Sequence, residues 1–280
     1  MLFATTTFAS GTTWNFVNSG DTQIEGGDSY GNYIDLERDG IELIVSAWSE
    51  TKNNSDPCID FPELPECQVA DGSNESTERD LFIDTAKLEY YGNTLGVKNK
   101  DGEGGSPQHS IDNIPNSSAY GYNDYDMVLL QFNKKVVLDE IVIGWATNDG
   151  GINSYGAADI SIVAYTGDDT KNANPFFANT QTWGDLLTST PNWQSVENIE
   201  NASILQAITN PVASQYFLIG AYNPIFGGNL SNANDGFKLS GVKTKTAASK
   251  PPSNAIPEPS SIALAFLGLL LLRRRQSLKK

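Results

Sequence analysis

Short runs of alternating or β-branched residues recur along this chain between clusters of Gly, Asn, Asp and Pro. That period of two is the signature of strands with one buried face. Ile41–Trp48, Met127–Phe132, Glu140–Trp145, Asp159–Tyr165, Gln215–Tyr222 and Lys238–Lys243 are predicted strands, and Phe3–Phe8 is further strand material. Asn133, Lys134 and Lys135 are predicted to turn between the second and third of these. No stretch of the body sustains a long 3.6-residue period. The best helix candidate is Thr182–Leu187, where Thr182 and Asp185 stand at capping-box spacing. The pattern predicts an all-β fold, an antiparallel β-sandwich of jelly-roll type, over residues 1–246. Residues 50–80 read as an insertion loop at one end of it, and no internal repeat or second-domain boundary is visible.

Residues 247–259 change character to a Pro/Ser linker, extended and without packing residues. Ser260–Leu272 follows, apolar apart from two serines, and Arg273, Arg274 and Arg275 close it off. As a helix this segment spans about 20 Å at 1.5 Å per residue, short of the roughly 30 Å of a bilayer core. Snorkelling arginines and local thinning close that gap. A helix apolar on every face, behind a proline linker and next to a cationic cluster, is a poor core element. Residues 260–280 are therefore expected to form a membrane anchor and basic tail, with the arginines cytoplasmic and the body outside.

Charge sharpens the division. The 280-residue chain carries a net charge of −16, and residues 1–249 hold 12 basic against 33 acidic side chains, a net of −21. Such a body repels nucleic acid and anionic head groups, so no nucleic-acid partner is expected. Cys58 and Cys67 lie nine residues apart in a polar loop punctuated by three prolines, which suits a disulfide in an oxidising compartment. Met1–Gly11 has neither a basic n-region nor a sustained apolar h-region, so an export signal is expected upstream of it.

Candidate chemistry is sparse. His109 is the only histidine, and neighbours on an extended chain point to opposite faces, so Ser106, Ser110 and Asp112 do not make a nucleophilic triad with it. One histidine and a paired cysteine couple cannot build a usual zinc site. Carboxylates abound, yet none is singled out as a hydrolytic pair. Oxygen donors do gather at predicted strand ends: Asp112 with Asn113, Asp124 with Asp126, Asn148 with Asp149, and Asp159. They suit a structural calcium ion, and equally they suit Asx-turns. Trp183 and Trp193 flank the predicted helix and are candidates for stacking on sugar, whereas Trp48 and Trp145 sit in apolar strands and read as core.

Two resemblances bear on function. Pro257-Glu258-Pro259, a short apolar segment rich in Leu, Ala and Gly, and a terminal arginine cluster together resemble a PEP-CTERM sorting signal. The resemblance implies processing near Pro257–Pro259 by an exosortase, a membrane-embedded transpeptidase-like enzyme, and release to the cell surface or extracellular matrix. The body, from about residue 95 to 243, is similar to a family of exosortase-dependent surface proteins. The similarity rests on Gly105–Asn113, the strand ending in Phe132, Ile141–Trp145, Asp159–Tyr165 and Ile219–Tyr222. That family carries no activity to transfer. The expectation is a non-enzymatic exported surface protein associated with extracellular polysaccharide in a biofilm matrix. The alternative is a carbohydrate-binding or glycoside-hydrolysing module using the same route.

Overall fold

A computed structural model describes residues 11–20, 22–50, 83–100, 109–114, 125–148, 156–167, 181–188, 192–231 and 234–247. The chain divides into two compact units, Met1–Ala247 and Ala248–Lys280, and every described residue lies in the first. The cysteine loop, the Phe3–Phe8 segment, the linker and the tail with its predicted helix lie outside the described residues.

The described residues of the domain form fourteen strands. They are β1 (Thr12–Asn15), β2 (Ile24–Glu25), β3 (Tyr33–Arg38), β4 (Ile41–Glu50), β5 (Ile83–Thr85), β6 (Lys87–Tyr91) and β7 (Thr94–Lys98), followed by β8 (Ile111–Asp112), β9 (Asp126–Thr147), β10 (Ala158–Tyr165), β11 (Trp193–Ala202), β12 (Leu205–Ala207), β13 (Ala213–Ala221) and β14 (Gly236–Thr246). All strand pairs described are antiparallel. The fold is all-β, as the period of two predicts.

β9 organises it. Its first part, Asp126–Phe132, lies between β4 and β13, with β10 and β11 beyond β13 and β3 beyond β4. Its second part, Val136–Thr147, pairs with β14, which in turn carries β1, β7 and β8 on its far edge. The predicted turn at Asn133–Lys135 is thus corrected. The three residues are exposed but remain in strand, at the place where β9 leaves one layer and enters the other. Polar residues were read as a turn, whereas a strand that switches layers also shows solvent-facing residues at its corner. There the Asn133 side chain accepts from the Glu42 amide and Lys134 donates to the Gly40 carbonyl.

One apolar cluster takes residues from both layers: Leu43, Val128, Leu130, Ile162 and Ile219 from one, Leu95, Ile141, Leu239 and Val242 from the other. Trp14 meets Phe132 edge-on at 5.8 Å within it. Because side chains alternate along a strand, Met127, Leu129, Val163 and Leu218 face the opposite way and form a second cluster. Helix α1 (Trp183–Thr188) and a 3-10 turn (Pro224–Phe226) cover that cluster with Trp183, Leu186 and Phe226. The predicted capping box is present: the Asp185 amide donates to Thr182 Oγ1 at 3.2 Å, and the Thr182 amide donates to the Asp185 carboxylate at 3.1 Å.

Candidate functional site

Four segments distant in sequence converge on a buried polar centre. β8 ends in Asp112 and leads to Asn113, β10 begins beside Asp159, β13 runs out into Tyr222 and Asn223, and Asp235 immediately precedes β14. Asn113, Asn223 and Asp235 are fully buried, and Asp112 and Asp159 nearly so. Backbone groups at strand ends lose their ladder partners, so side chains must satisfy them.

Asn113 and Asp235 clasp each other. The Asn113 amide donates to the Asp235 carbonyl at 3.1 Å, and the Asp235 amide donates to Asn113 Oδ1 at 2.8 Å. Asn113 Nδ2 donates to the Tyr222 carbonyl at 2.8 Å and, more weakly, to Asp235 Oδ2 at 3.4 Å. Asp235 Oδ1 in turn accepts from the Asp159 amide at 2.8 Å. The Asp159 carboxylate accepts from the Asn201 amide at 2.8 Å and from Ser231 Oγ at 2.9 Å. Next to it, Ser161 Oγ donates to Asn198 and accepts from the Asn223 amide, while Asn223 Oδ1 caps the 3-10 turn by accepting from Ile225.

This geometry places two carboxylates, those of Asp159 and Asp235, in one buried network. Burial pushes the Asp235 carboxyl up to about 7. The Asp159 amide and the Asn113 side chain favour its ionised form, and the charge of Asp159 opposes it. A buried acid in this situation either holds a proton near neutral pH or shares a cation with its neighbour.

The predicted oxygen donors divide. Asp112, Asn113 and Asp159 come together around Asp235, which sequence reasoning did not select. Asp126 lies across the ladder from Ser49 on β4, while Asp124 and Asp149 are outside the described residues. Asp112 makes the Asx-turn of the alternative reading, its Oδ1 accepting from the Ile114 amide at 2.9 Å. Among the described residues no group of three or more His, Cys, Asp or Glu side chains could hold a metal ion.

The stacking expectation for Trp183 and Trp193 is corrected. They are 0% and 4% exposed and belong to the second apolar cluster, so neither offers a face to a sugar. Their polar flanks suggested exposure, but α1 folds back over the sheet and carries Trp183 inward, and β11 places Trp193 beside Tyr165 at 5.5 Å between ring centroids. His109 packs its ring on Tyr91 at 4.1 Å. Cys58, Cys67, Pro257, Glu258, Pro259, Arg273, Arg274 and Arg275 lie outside the described residues, and among the described ones no helix is long and apolar enough to cross a membrane. No protein family, curated protein or solved structure matches this chain.

Proposed function

We propose that this chain is a non-enzymatic exported surface protein, sorted and processed at its C-terminal tail by an exosortase, whose β-domain associates with extracellular polysaccharide. The observation that carries the reading is the sequence of the tail: Pro257-Glu258-Pro259, the apolar run Ser260–Leu272, then Arg273–Arg275. A body with this excess of acid does not settle on an anionic membrane by itself, so the tail supplies the attachment until it is cut. The test is to follow an internally tagged chain, supplied with a native export signal, in cells with and without exosortase. Surface display that requires the enzyme is the expected result, together with retention in the membrane when Pro257–Pro259 is replaced by alanines. A chain that stays in the cytoplasm of both strains overturns the reading.

A further inference from the structure

Away from the buried carboxylates, the loop between β1 and β2 and the end of β6 enclose a surface depression of about 470 Å3, lined by Asn18, Ser19, Gly20, Gln23, Ile24 and Tyr90. We propose that this depression is a binding site for a neutral saccharide unit, one or two rings of a polysaccharide chain.

Three observations point there. First, the depression is preformed. Thr22, 1% exposed, ties the loop together: its hydroxyl accepts from the Ser19 amide at 3.2 Å and donates to the Val17 carbonyl, and its own amide donates to the Ser19 carbonyl at 3.0 Å. The Tyr90 hydroxyl donates to the Thr22 carbonyl at 2.6 Å, which fixes the ring as a wall of the site. A site that does not have to be ordered on binding loses less entropy to its ligand.

Second, the polar groups that line it are not consumed by the fold. Asn18 and Gln23 are exposed, and their carboxamides make no hydrogen bond among the described residues. Each offers a donor and an acceptor, the pairing that neighbouring sugar hydroxyls need. The Tyr90 ring and Ile24 supply the apolar surface against which the C–H face of a pyranose rests.

Third, the charge is wrong for anionic ligands. None of the described lining residues is charged, although the chain carries −16; Asp21 of the same loop lies outside the described residues. No cation is present among them to hold a phosphate, sulfate or uronate, and the field of the body repels such polymers. A volume of about 470 Å3 falls within the range of small-molecule sites.

The assignment deepens the polysaccharide part of the proposed function and rests on it for biological sense, but its test does not depend on sorting. The full-length chain is titrated with cellobiose, maltose and lactose, and with a uronic acid disaccharide as the anionic comparison, by saturation-transfer NMR. Binding of at least one neutral disaccharide in the millimolar range, with none of the uronate, is expected. Asn18→Ala combined with Gln23→Ala should weaken it roughly ten-fold or more. Gly20→Phe should weaken it by crowding the depression that position 20 lines, since a Cβ there meets no described atom within 4 Å. The double alanine variant alters only exposed side chains, so it decides the matter if Gly20→Phe fails to fold. No neutral disaccharide bound, preferred binding of the uronate, or binding unchanged in the double variant overturns the site. Disaccharide binding by a chain that never reaches the surface sinks the sorting reading alone.

Discussion

Replacing Asp235 by asparagine separates a proton from a charge at the centre of the buried network. The side chain keeps its shape and the oxygen that accepts from the Asp159 amide, but it can no longer ionise. In the wild type the folded-state value of about 7 stands against an ordinary 3.8, a rise of about three units. At 1.36 kcal/mol per unit, ionised Asp235 costs the folded domain on the order of 4 kcal/mol above pH 7. The sign follows from proton counting. Between pH 4 and 7 the folded state holds a proton that the unfolded chain has lost, so stability falls as pH rises, and levels off above 7. Asp28, held down by its hydrogen bond and ion pair with Lys87, works the other way, but its stabilising effect is lost only in acid. Urea unfolding at pH 5, 6, 7 and 8 should therefore show the wild type losing roughly 3 kcal/mol across the series. Asp235→Asn should be nearly flat over the same range, and more stable than the wild type at pH 8. The difference between the two curves cancels every other titrating group. Parallel slopes for wild type and variant would refute the assignment of the proton to Asp235.

The same variant tests calcium. Where Asp159 and Asp235 share a cation, millimolar calcium at pH 8, with Asp235 already ionised, raises stability with the logarithm of its concentration and has no effect on Asp235→Asn. Equal calcium responses in both chains exclude this pair as the ligand set. At α1, Thr182→Ala removes one half of the capping box and should cost about 1 kcal/mol in chemical denaturation; no change would mean the helix is held by Trp183 and Leu186 alone. Trp183→Ala should cost about 3–5 kcal/mol by thermal or urea melts while leaving disaccharide binding intact in any surviving folded fraction. Gly241→Ala should be strongly destabilising, because a Cβ there would sit 2.2 Å from the Trp14 carbonyl oxygen where β1 crosses β14; a melt within experimental error of the wild type would contradict the close approach.

How much of this was legible depends on how local each feature is. The long apolar strands β4, β10, β13 and β14 announce themselves by alternation. The α1 cap needs only Thr182 and Asp185, three residues apart. β3 is equally legible: Tyr33–Arg38 alternates, and Asp39-Gly40 is the two-residue signal of a tight hairpin, with φ of 54° and 66°. The corner in β9 was not legible, because Asn133-Lys134-Lys135 has the same composition whether the chain reverses or passes between layers. Only the pairing of Leu43 with Phe132 on one side and of Thr246 with Val136 on the other distinguishes them.

The buried centre shows the same limit more sharply. Asn234-Asp235-Gly236 reads as an ordinary turn ahead of a strand, and nothing within ten residues marks Asp235 as buried. Its character comes from Asn113, 122 residues away, and from Asp159, 76 residues away. Asp112, Asn113 and Asp159 lie near one another because strand ends of one sandwich edge meet there. The network they make was out of reach, since whether an aspartate turns a loop or titrates depends on the depth at which three strand ends close over it. Trp183 errs in the opposite direction for the same reason: its polar neighbours describe the outer side of α1, and only the apolar outer face of the β4–β9–β13–β10 ladder requires something to cover it. A pattern along one strand fixes which face is apolar; what lies against that face is a property of pairs of segments, and that is where both the fold's second core and the buried Asp159–Asp235 network arise.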